Sequence, residues 1–411
     1  MKRLQAVWVA GAITSLTGAA LANTEPPPAY DARSVGMGST GVAHVENGAS
    51  LYHNPAAMQG IERGAVTGVI SPLAPQMTAP LQGPDTEVDS QRTVGPLFLL
   101  GGAYRVHKRL TIGAAVFPTM GFGAKYQDLD ALGGLDLEAK LAVLEIAPGA
   151  AFAITDNLAI GLAYRVSYFS FGMKQPDVST GTPLQTEMNV NGWNFTGLHA
   201  GVYARATPTT RLGLSYRSKV TGDLEGTTDM ADQEFDSSTE FAVPHIFKIG
   251  VAQGLIDNRL TLALDLRYAL FKEANKELVI ATDVPGLGTQ ETQLDLDWKD
   301  SVGAYFGAEF RPAPKGPGIR AGYSVVSSAT PGKTAQPVMP PPGLQHTVHA
   351  GVGISIQSLD LDLGGYYLFG GKHAEPDTVP PGSMDGDYRF NAILGSLSAT
   401  YRFGSSSASA E

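Results

Sequence analysis

The chain has no cysteine, which excludes a disulfide scaffold and thiolate metal sites. It has no apolar run long enough for a spanning helix, which needs about 20 residues, so a helical membrane protein is excluded. It also lacks G-x-S-x-G, H-E-x-x-H and any phosphate-cradling glycine loop. His346 and His349 resemble an H-x-x-H pair, but odd spacing on a strand sends the two rings to opposite faces, where they cannot share a metal. His53 and His245 have no acid or nucleophile near them in sequence, so the patch a hydrolase needs is missing. The chain therefore reads as a non-enzyme without cofactors. Basic charge is in deficit: 29 Lys and Arg stand against 39 Asp and Glu, a net charge of −10. That argues against nucleic acid as a partner.

What is present begins with MKRLQAVWVAGAITSLTGAALA. Lys2 and Arg3 supply a positive start, an apolar run follows, and Ala20-Leu21-Ala22 offers small residues for cleavage. Residues 1–22 read as a secretory signal peptide, with Asn23 the first mature residue. The 49 glycines and 43% hydrophobic content suit many half-buried strands and turns. From about residue 62 onward, period-two alternation recurs in segments of roughly ten residues, the length of a tilted membrane strand. In RLTLALDLRYAL, Leu260, Leu262, Leu264, Leu266, Tyr268 and Leu270 oppose Thr261, Ala263, Asp265, Arg267 and Ala269. In NAILGSLSATYRF, Ile393, Leu397, Tyr401 and Phe403 oppose Ser396, Ser398, Thr400 and Arg402. The apolar face often ends in Tyr or Phe, as an aromatic girdle does, and the other face carries full charges inside strands. A barrel lumen accommodates such charges, whereas a sandwich core does not.

About fourteen strands are expected, near 62–71, 96–106, 109–119, 140–154, 157–172, 190–206, 210–221, 239–255, 258–272, 292–311, 317–328, 345–357, 359–370 and 388–403. Their links alternate between tight turns such as TDN, IDN and QS and long polar loops such as SATPGKTAQPVMPPPGL. Short turns on one side, long loops on the other and an even strand number describe an antiparallel transmembrane β-barrel of a bacterial outer membrane. The expected division is a signal peptide (1–22), an N-terminal segment (23–61), the barrel (62–403) and a polar tail (404–411).

The N-terminal segment contains DARSVGMGSTGVAHVENGASLYHNPAAM. Its glycines make a free-standing helix poor, and Pro55 denies a donor and pushes Asn54 from helical geometry. Tyr30, Val35, Met37, Val42, Leu51, Tyr52 and Met58 make it rather apolar for a disordered leader. A barrel of this width leaves a lumen, so the segment is expected to plug it.

GMGSTGVAHVENGASLYHNPAAM resembles the N-terminal hatch of the FadL-type outer-membrane transporters of long-chain fatty acids and aromatic hydrocarbons. LGLSYRSKVTGDLEG resembles the family's Tyr-Arg-Ser strand, and VPHIFKIGVA, RLTLALDLRYALF, WKDSVGAYFGAEFRP and IRAGYSVVSS follow in the family's order. The resemblance implies a fourteen-stranded barrel with a hatch in its lumen. It further implies passage of hydrophobic ligand through a side opening at a kink in the third strand. Two features depart from the pattern: the mature chain begins with the polar NTEPPPAY, and GSSSASAE continues past Phe403.

Asn54, Pro55 and Ala56 match the hatch motif, as a moving hinge or as a structural turn. Pro118, which cannot donate to a ladder, with Gly121 and Gly123, which tolerate unusual dihedrals, marks the lateral-opening candidate in the third strand. A fatty-acid pocket needs an apolar lining and a cation; Phe122, Phe171 and Phe271 beside Lys125, Lys174 and Lys276 are the candidates. Arg165, Arg205, Arg217, Lys219, Asp265, Arg267, Glu309, Asp360 and Asp362 are expected to form a lumenal charge network. The acidic loop from Asp128 to Glu138 reads as solvated charge, with a divalent-cation site or lipopolysaccharide bridging as the alternative. The expected function is passive uptake of hydrophobic compounds, long-chain fatty acids first and aromatic hydrocarbons second. A non-transporting scaffold or adhesin barrel is the remaining reading. The expected partners are the hydrophobic ligand, outer-membrane lipid and lipopolysaccharide, with the protein a monomer.

Overall fold

A computed structural model of the chain describes residues 30–177, 184–313, 316–376 and 384–404. The signal-peptide reading, the start of the N-terminal segment and the tail beyond Gly404 lie outside the described residues. In chain order the strands are β1 Gly64–Pro80, β2 Glu87–Asp89, β3 Gly95–His107, β4 Leu110–Leu129, β5 Leu135–Thr155, β6 Leu158–Asp177, β7 Leu184–Arg205, β8 Thr210–Arg217, β9 Val220–Met230 and β10 Gln233–Val243. They continue as β11 Ile246–Leu255, β12 Leu260–Ala269, β13 Glu277–Val284, β14 Gly288–Asp295, β15 Ser301–Phe310, β16 Gly318–Ser327, β17 Leu344–Ile356, β18 Leu359–Ala374 and β19 Gly386–Phe403.

Each barrel strand pairs antiparallel with its neighbours, and β19 returns to β1 with Gly64 opposite Phe403. The result is a closed barrel of fourteen strands. Closure removes every sheet edge that lipid would leave unbonded. Four of the fourteen are interrupted, as β8/β9, β10/β11, β12/β13 and β14/β15, while β2 is a short ribbon on the outer end of β1. The strands run longer than the alternation suggests, because β4, β5, β6 and β7 continue well above the lipid-facing band. Outside the membrane nothing forces the exposed face to be apolar, so the sequence signal stops there while the ladder goes on.

The two faces sort as the alternation predicts. Leu262, Leu266, Tyr268, Ile393, Leu397 and Tyr401 are exposed to lipid, while Asp265, Arg267, Ser396, Ser398 and Thr400 are buried inward. Tyr104, Phe152, Phe310, Tyr401 and Phe403 face outward near the short turns; Trp193, Phe195, Phe247, Tyr268, Tyr323, Tyr367 and Phe369 do so toward the long loops. These are the two interfacial girdles of a membrane barrel. His346 joins the outer girdle, stacked on Phe369 at 5.6 Å, and His349 points inward to bond the Val35 carbonyl at 2.8 Å. The two rings sit on opposite faces.

Residues 30–61 fill the lumen. They form short helices at Ala32–Gly36 and Ser50–His53 and a 3-10 turn at Pro55–Gly60. Tyr30, Val35, Leu51, Tyr52 and Met58 are buried against apolar side chains of the wall. Only a closed wall gives so small an apolar segment something to fold against.

Candidate functional site

The plug is joined to the wall by backbone contact and by buried polar anchors. Asn54 is wholly buried. Its side-chain amide donates to the Val42 carbonyl at 3.0 Å and to the Val202 carbonyl of β7 at 2.9 Å, and its Oδ1 accepts from the Ala56 N–H at 3.1 Å. Asn54 thus caps the 3-10 turn that Pro55 opens, as its oxygen suits, and pins hatch to wall in the same stroke. Ala56, fully buried, packs on Ala57 and Tyr203. The fit requires a bare backbone opposite: a Cβ on Gly201 would lie 1.9 Å from Asn54 Oδ1, and one on Gly161 would lie 2.3 Å from the Ala56 nitrogen.

Charge closes the plug on the short-turn side. Arg33 of the hatch makes a two-pronged bond to Glu309 at 3.1 and 2.8 Å. Arg320 approaches the same carboxylate at 2.6 Å and reaches Asp362 at 2.8 Å. Glu46 of the hatch accepts from Tyr203 at 2.6 Å and Arg205 at 2.9 Å. Asp265 Oδ2 accepts the Gly41 and Val42 N–H groups at 2.7 and 3.0 Å. A recess of about 650 Å³ at this end is lined by Arg33, Glu46, Arg205, Arg211, Glu309 and Arg311. A hydrocarbon would have to desolvate all of these charges to pass straight through.

The wall is discontinuous at another place. β3 pairs with β4 from the short-turn end only as far as Leu100 opposite Val116. Beyond it β4 stays on β5 and bulges at Thr119, between Pro118 and Met120. The next contact across the β3 side is the Gln91 N–H to the Lys125 carbonyl at 2.8 Å. Between these points, among the described residues, no backbone hydrogen bond joins β4 to the chain leading into β3. Pro118 accounts for the bulge, having no N–H for the ladder. Gly121 and Gly123 do not contribute as expected: both keep β5 partners and neither has a left-handed φ. Leu97, Leu99 and Phe117 border the gap from inside, and Tyr52 of the hatch meets Phe117 edge-on at 5.1 Å.

A buried charge cluster sits beside the bulge. Glu145 accepts from Arg165 Nε at 2.8 Å and from Arg217 Nη2 at 2.6 Å. The same Arg217 nitrogen donates to Thr119 Oγ1 at 2.6 Å. The guanidinium lies 5.6 Å from the Tyr52 ring centre and 5.8 Å from that of Phe117, a cation–π arrangement with both. Hatch, bulge and wall therefore meet at one side chain. The Tyr-Arg-Ser strand placed Arg217 in the lumen; Thr119 and Glu145 carried no signal in sequence, because a tertiary contact alone unites them.

Toward the long loops the lumen is apolar. Phe122, Phe171 and Phe271 converge in one cluster with Phe169, Phe241, Trp298, Met120, Met188 and Met339. Trp298 stands at its centre, edge-on to Phe122, Phe241 and Phe271 at 6.4, 5.9 and 5.6 Å. The three lysines do not join these rings. Lys125 and Lys174 pair with Glu138 and Glu187 at 3.7 and 2.6 Å, and Lys276 is exposed. The ammonium groups follow solvent on strands that outrun the membrane, as their hydration favours. Lys219 likewise leaves the expected lumenal network, half-buried at the β8/β9 break and within 3.5 Å of the Glu273 carbonyl.

In overall structure the chain is similar to a Pseudomonas aeruginosa FadL homologue, with 16% identity, a TM-score of 0.78 and 92% and 99% of the two chains covered. It is similar too to the Pseudomonas putida toluene transporter TodX, at 17% identity, a TM-score of 0.71 and 93% and 100% coverage. The Ralstonia pickettii toluene transporter TbuX gives 17%, 0.69, and 92% and 99%. No curated protein sequence matches the chain. The sequence profile of outer membrane protein transport proteins (OMPP1/FadL/TodX) matches residues 13–403. With the closed barrel, the plug and the girdles in place, the chain belongs to this family of outer-membrane channels for hydrophobic compounds.

Proposed function

We propose that the protein carries small aromatic hydrocarbons across the outer membrane by diffusion, through the aromatic cluster around Trp298 and out sideways between β3 and β4. The observation that carries this reading is the pairing of a charge-sealed floor with a lateral stretch where the ladder is unmade. Unbonded backbone at membrane depth is tolerated where it lines a cavity or path. The choice of ligand rests on the lining. Edge-on aromatic rings and methionine sulfurs favour another aromatic ring, and the lysines a carboxylate would call for are turned away. Two solved structures of this fold carry the name toluene transporter, which accords with the choice.

Long-chain fatty acids are the second reading. Arg217 favours it: its Nη1 is buried beside the bulge without a hydrogen-bond partner among the described residues, and a carboxylate there would gain a charge-assisted bond. The test is uptake of labelled toluene and labelled oleate by cells whose own transporters of this family are deleted, with folded barrel levels matched. Toluene uptake above vector, with oleate at vector level, supports the first reading. Oleate uptake that falls on Arg217→Gln supports the second. Uptake of neither by folded barrel rejects transport in favour of a scaffold.

A further inference from the structure

Beyond the outer girdle the wall continues into a small sheet that transport does not use. It consists of β9, β10, β13 and β14, joined at its middle where Ser238 of β10 lies opposite Ala281 of β13. Its inner face is anchored, with Leu224, Phe241, Leu278 and Ile280 buried in the cluster around Trp298. Its last strand is open: among the described residues β14 pairs only with β13. The register tells which backbone groups face the open side. The Val279 carbonyl is turned toward β10, where Thr239 Oγ1 donates to it at 2.7 Å. Gln293, opposite Val279 across the hairpin, therefore turns its own N–H and C=O away from β13. Thr289, Glu291 and Asp295 do the same by alternation. The strand reads GTQETQLD and has none of the proline, lysine or bulges that protect an exposed edge.

We propose that this edge takes up an added strand from a basic, extended protein segment outside the cell. Charge identifies the partner. The β9–β10 hairpin carries seven carboxylates and the β13–β14 hairpin four, with no Lys, Arg or His in either. Register puts ten of these eleven on the one outward face, all exposed. Asp223 stands opposite Glu240, Asp229 opposite Glu234 and Glu277 opposite Asp295. Like charges set directly opposite weaken a sheet, so the fold gains nothing from this arrangement by itself. At the base of the sheet, Lys219, Lys272, Lys276, Lys299 and Lys333 accompany Glu273, Asp297 and Asp300. That leaves a surplus of two cations against eleven carboxylates. Lys174, beyond β7, is already paired with Glu187 at 2.6 Å. A second copy of the chain is a poor occupant, because β14 against β14 would set further carboxylates side by side. An extended segment rich in Lys or Arg satisfies the open backbone groups and the charge together.

The test uses the full-length protein in detergent and short fluorescent peptides with blocked ends, read by anisotropy. The first peptide alternates Lys with Thr, the second replaces a central Thr by Pro at the same charge, and the third alternates Glu with Thr. The first is expected to bind, more weakly as salt rises, and the other two roughly tenfold or more below it. Gln293→Pro, which removes one open-side N–H and no bond to β13, should weaken binding of the first peptide roughly tenfold. Gln293→Ala, which keeps the N–H, should leave it unchanged. Glu291→Gln/Asp295→Asn repeats the test if the proline variant fails the heat-modifiability check for a folded barrel, and should lower affinity and flatten its salt dependence. Unchanged binding in the folded variants overturns the proposal. So does equal binding of the proline-interrupted peptide, which reduces the face to a general acidic surface. Self-association of the purified protein that Gln293→Pro abolishes would also overturn it, making a second copy the occupant.

Discussion

Gly201→Ala is the smallest change that sets the hatch against the wall. Gly201 sits in β7 opposite Asn54, and an added Cβ would lie 1.9 Å from Asn54 Oδ1 and 3.1 Å from Pro55 Cδ. The first contact cannot stand and the second is tight, and Asn54 cannot step aside without losing its bonds to Val42 and Val202. The strand itself has no reason to fail, since alanine fits an extended backbone and the glycine has no left-handed φ. The strain therefore falls on docking of the plug. Overpacking of this kind costs about 1–3 kcal/mol, which multiplies the undocked population roughly 5- to 150-fold. The assay is single-channel conductance in planar bilayers, with vancomycin sensitivity of whole cells as the second readout. Gly395→Ala is the matched control, because a Cβ there meets nothing within 4 Å. Frequent openings in Gly201→Ala, with Gly395→Ala silent, are predicted. Equal, silent traces from two folded barrels would refute the claim that backbone contact at β7 holds the plug.

Asn54→Ala should undock the turn Pro55–Gly60 by leaving its buried partners unmatched, at about 1–3 kcal/mol, read as faster protease cleavage within residues 50–61. Glu145→Gln should cost about 3–5 kcal/mol by leaving two buried guanidinium groups without their shared carboxylate, lowering the melting temperature and loosening the bulge at Thr119. Acid should loosen the hatch. Burial, reinforced by Arg33 and Arg211 around His44 and by Lys248 and Arg217 around His53, holds both imidazoles well below 6.5. Burial pushes the Glu46 carboxyl up, but Tyr203 and Arg205, with Arg211, pull it net below 4.5. All three bind fewer protons docked than undocked. Docking is therefore fully supported above pH 6.5 and weakens as pH falls, first through the histidines and then, below 4.5, through Glu46. Asp31, raised above 3.8 by burial, works the other way. Protease cleavage of the hatch should be faster at pH 5 than at pH 7.5; equal or slower cleavage would contradict the linkage.

The barrel was legible in the sequence because lipid demands an apolar face at every second residue and a closed wall of wholly antiparallel strands demands an even count. Leu262 and Asp265 fell on the faces that alternation gave them for that reason. Strand ends were not legible: β4 reaches Leu129, ten residues past the expected stop at 119, since water accepts either face of a strand. At the site, Asn54 is a buried cap and the three phenylalanines share one apolar cluster, because a buried cap and an apolar lumen leave few other residue types. The lysines did not follow. Proximity of Lys125 to Phe122 in sequence says nothing of direction, and neighbouring residues on a strand face opposite ways. Trp298 was missed because WKD on its own reads as an interface aromatic followed by charge.

On the proposed route a hydrophobic compound leaves the lumen through the gap between β3 and β4. The chain has no cysteine of its own, so Leu99→Cys/Phe117→Cys, one register step beyond the last pair Leu100–Val116, can tie the gap shut on oxidation. Uptake of labelled toluene should stop in oxidised cells and return on reduction, while either single cysteine transports under both conditions. Undiminished uptake through a barrel shown to be cross-linked would contradict the lateral route.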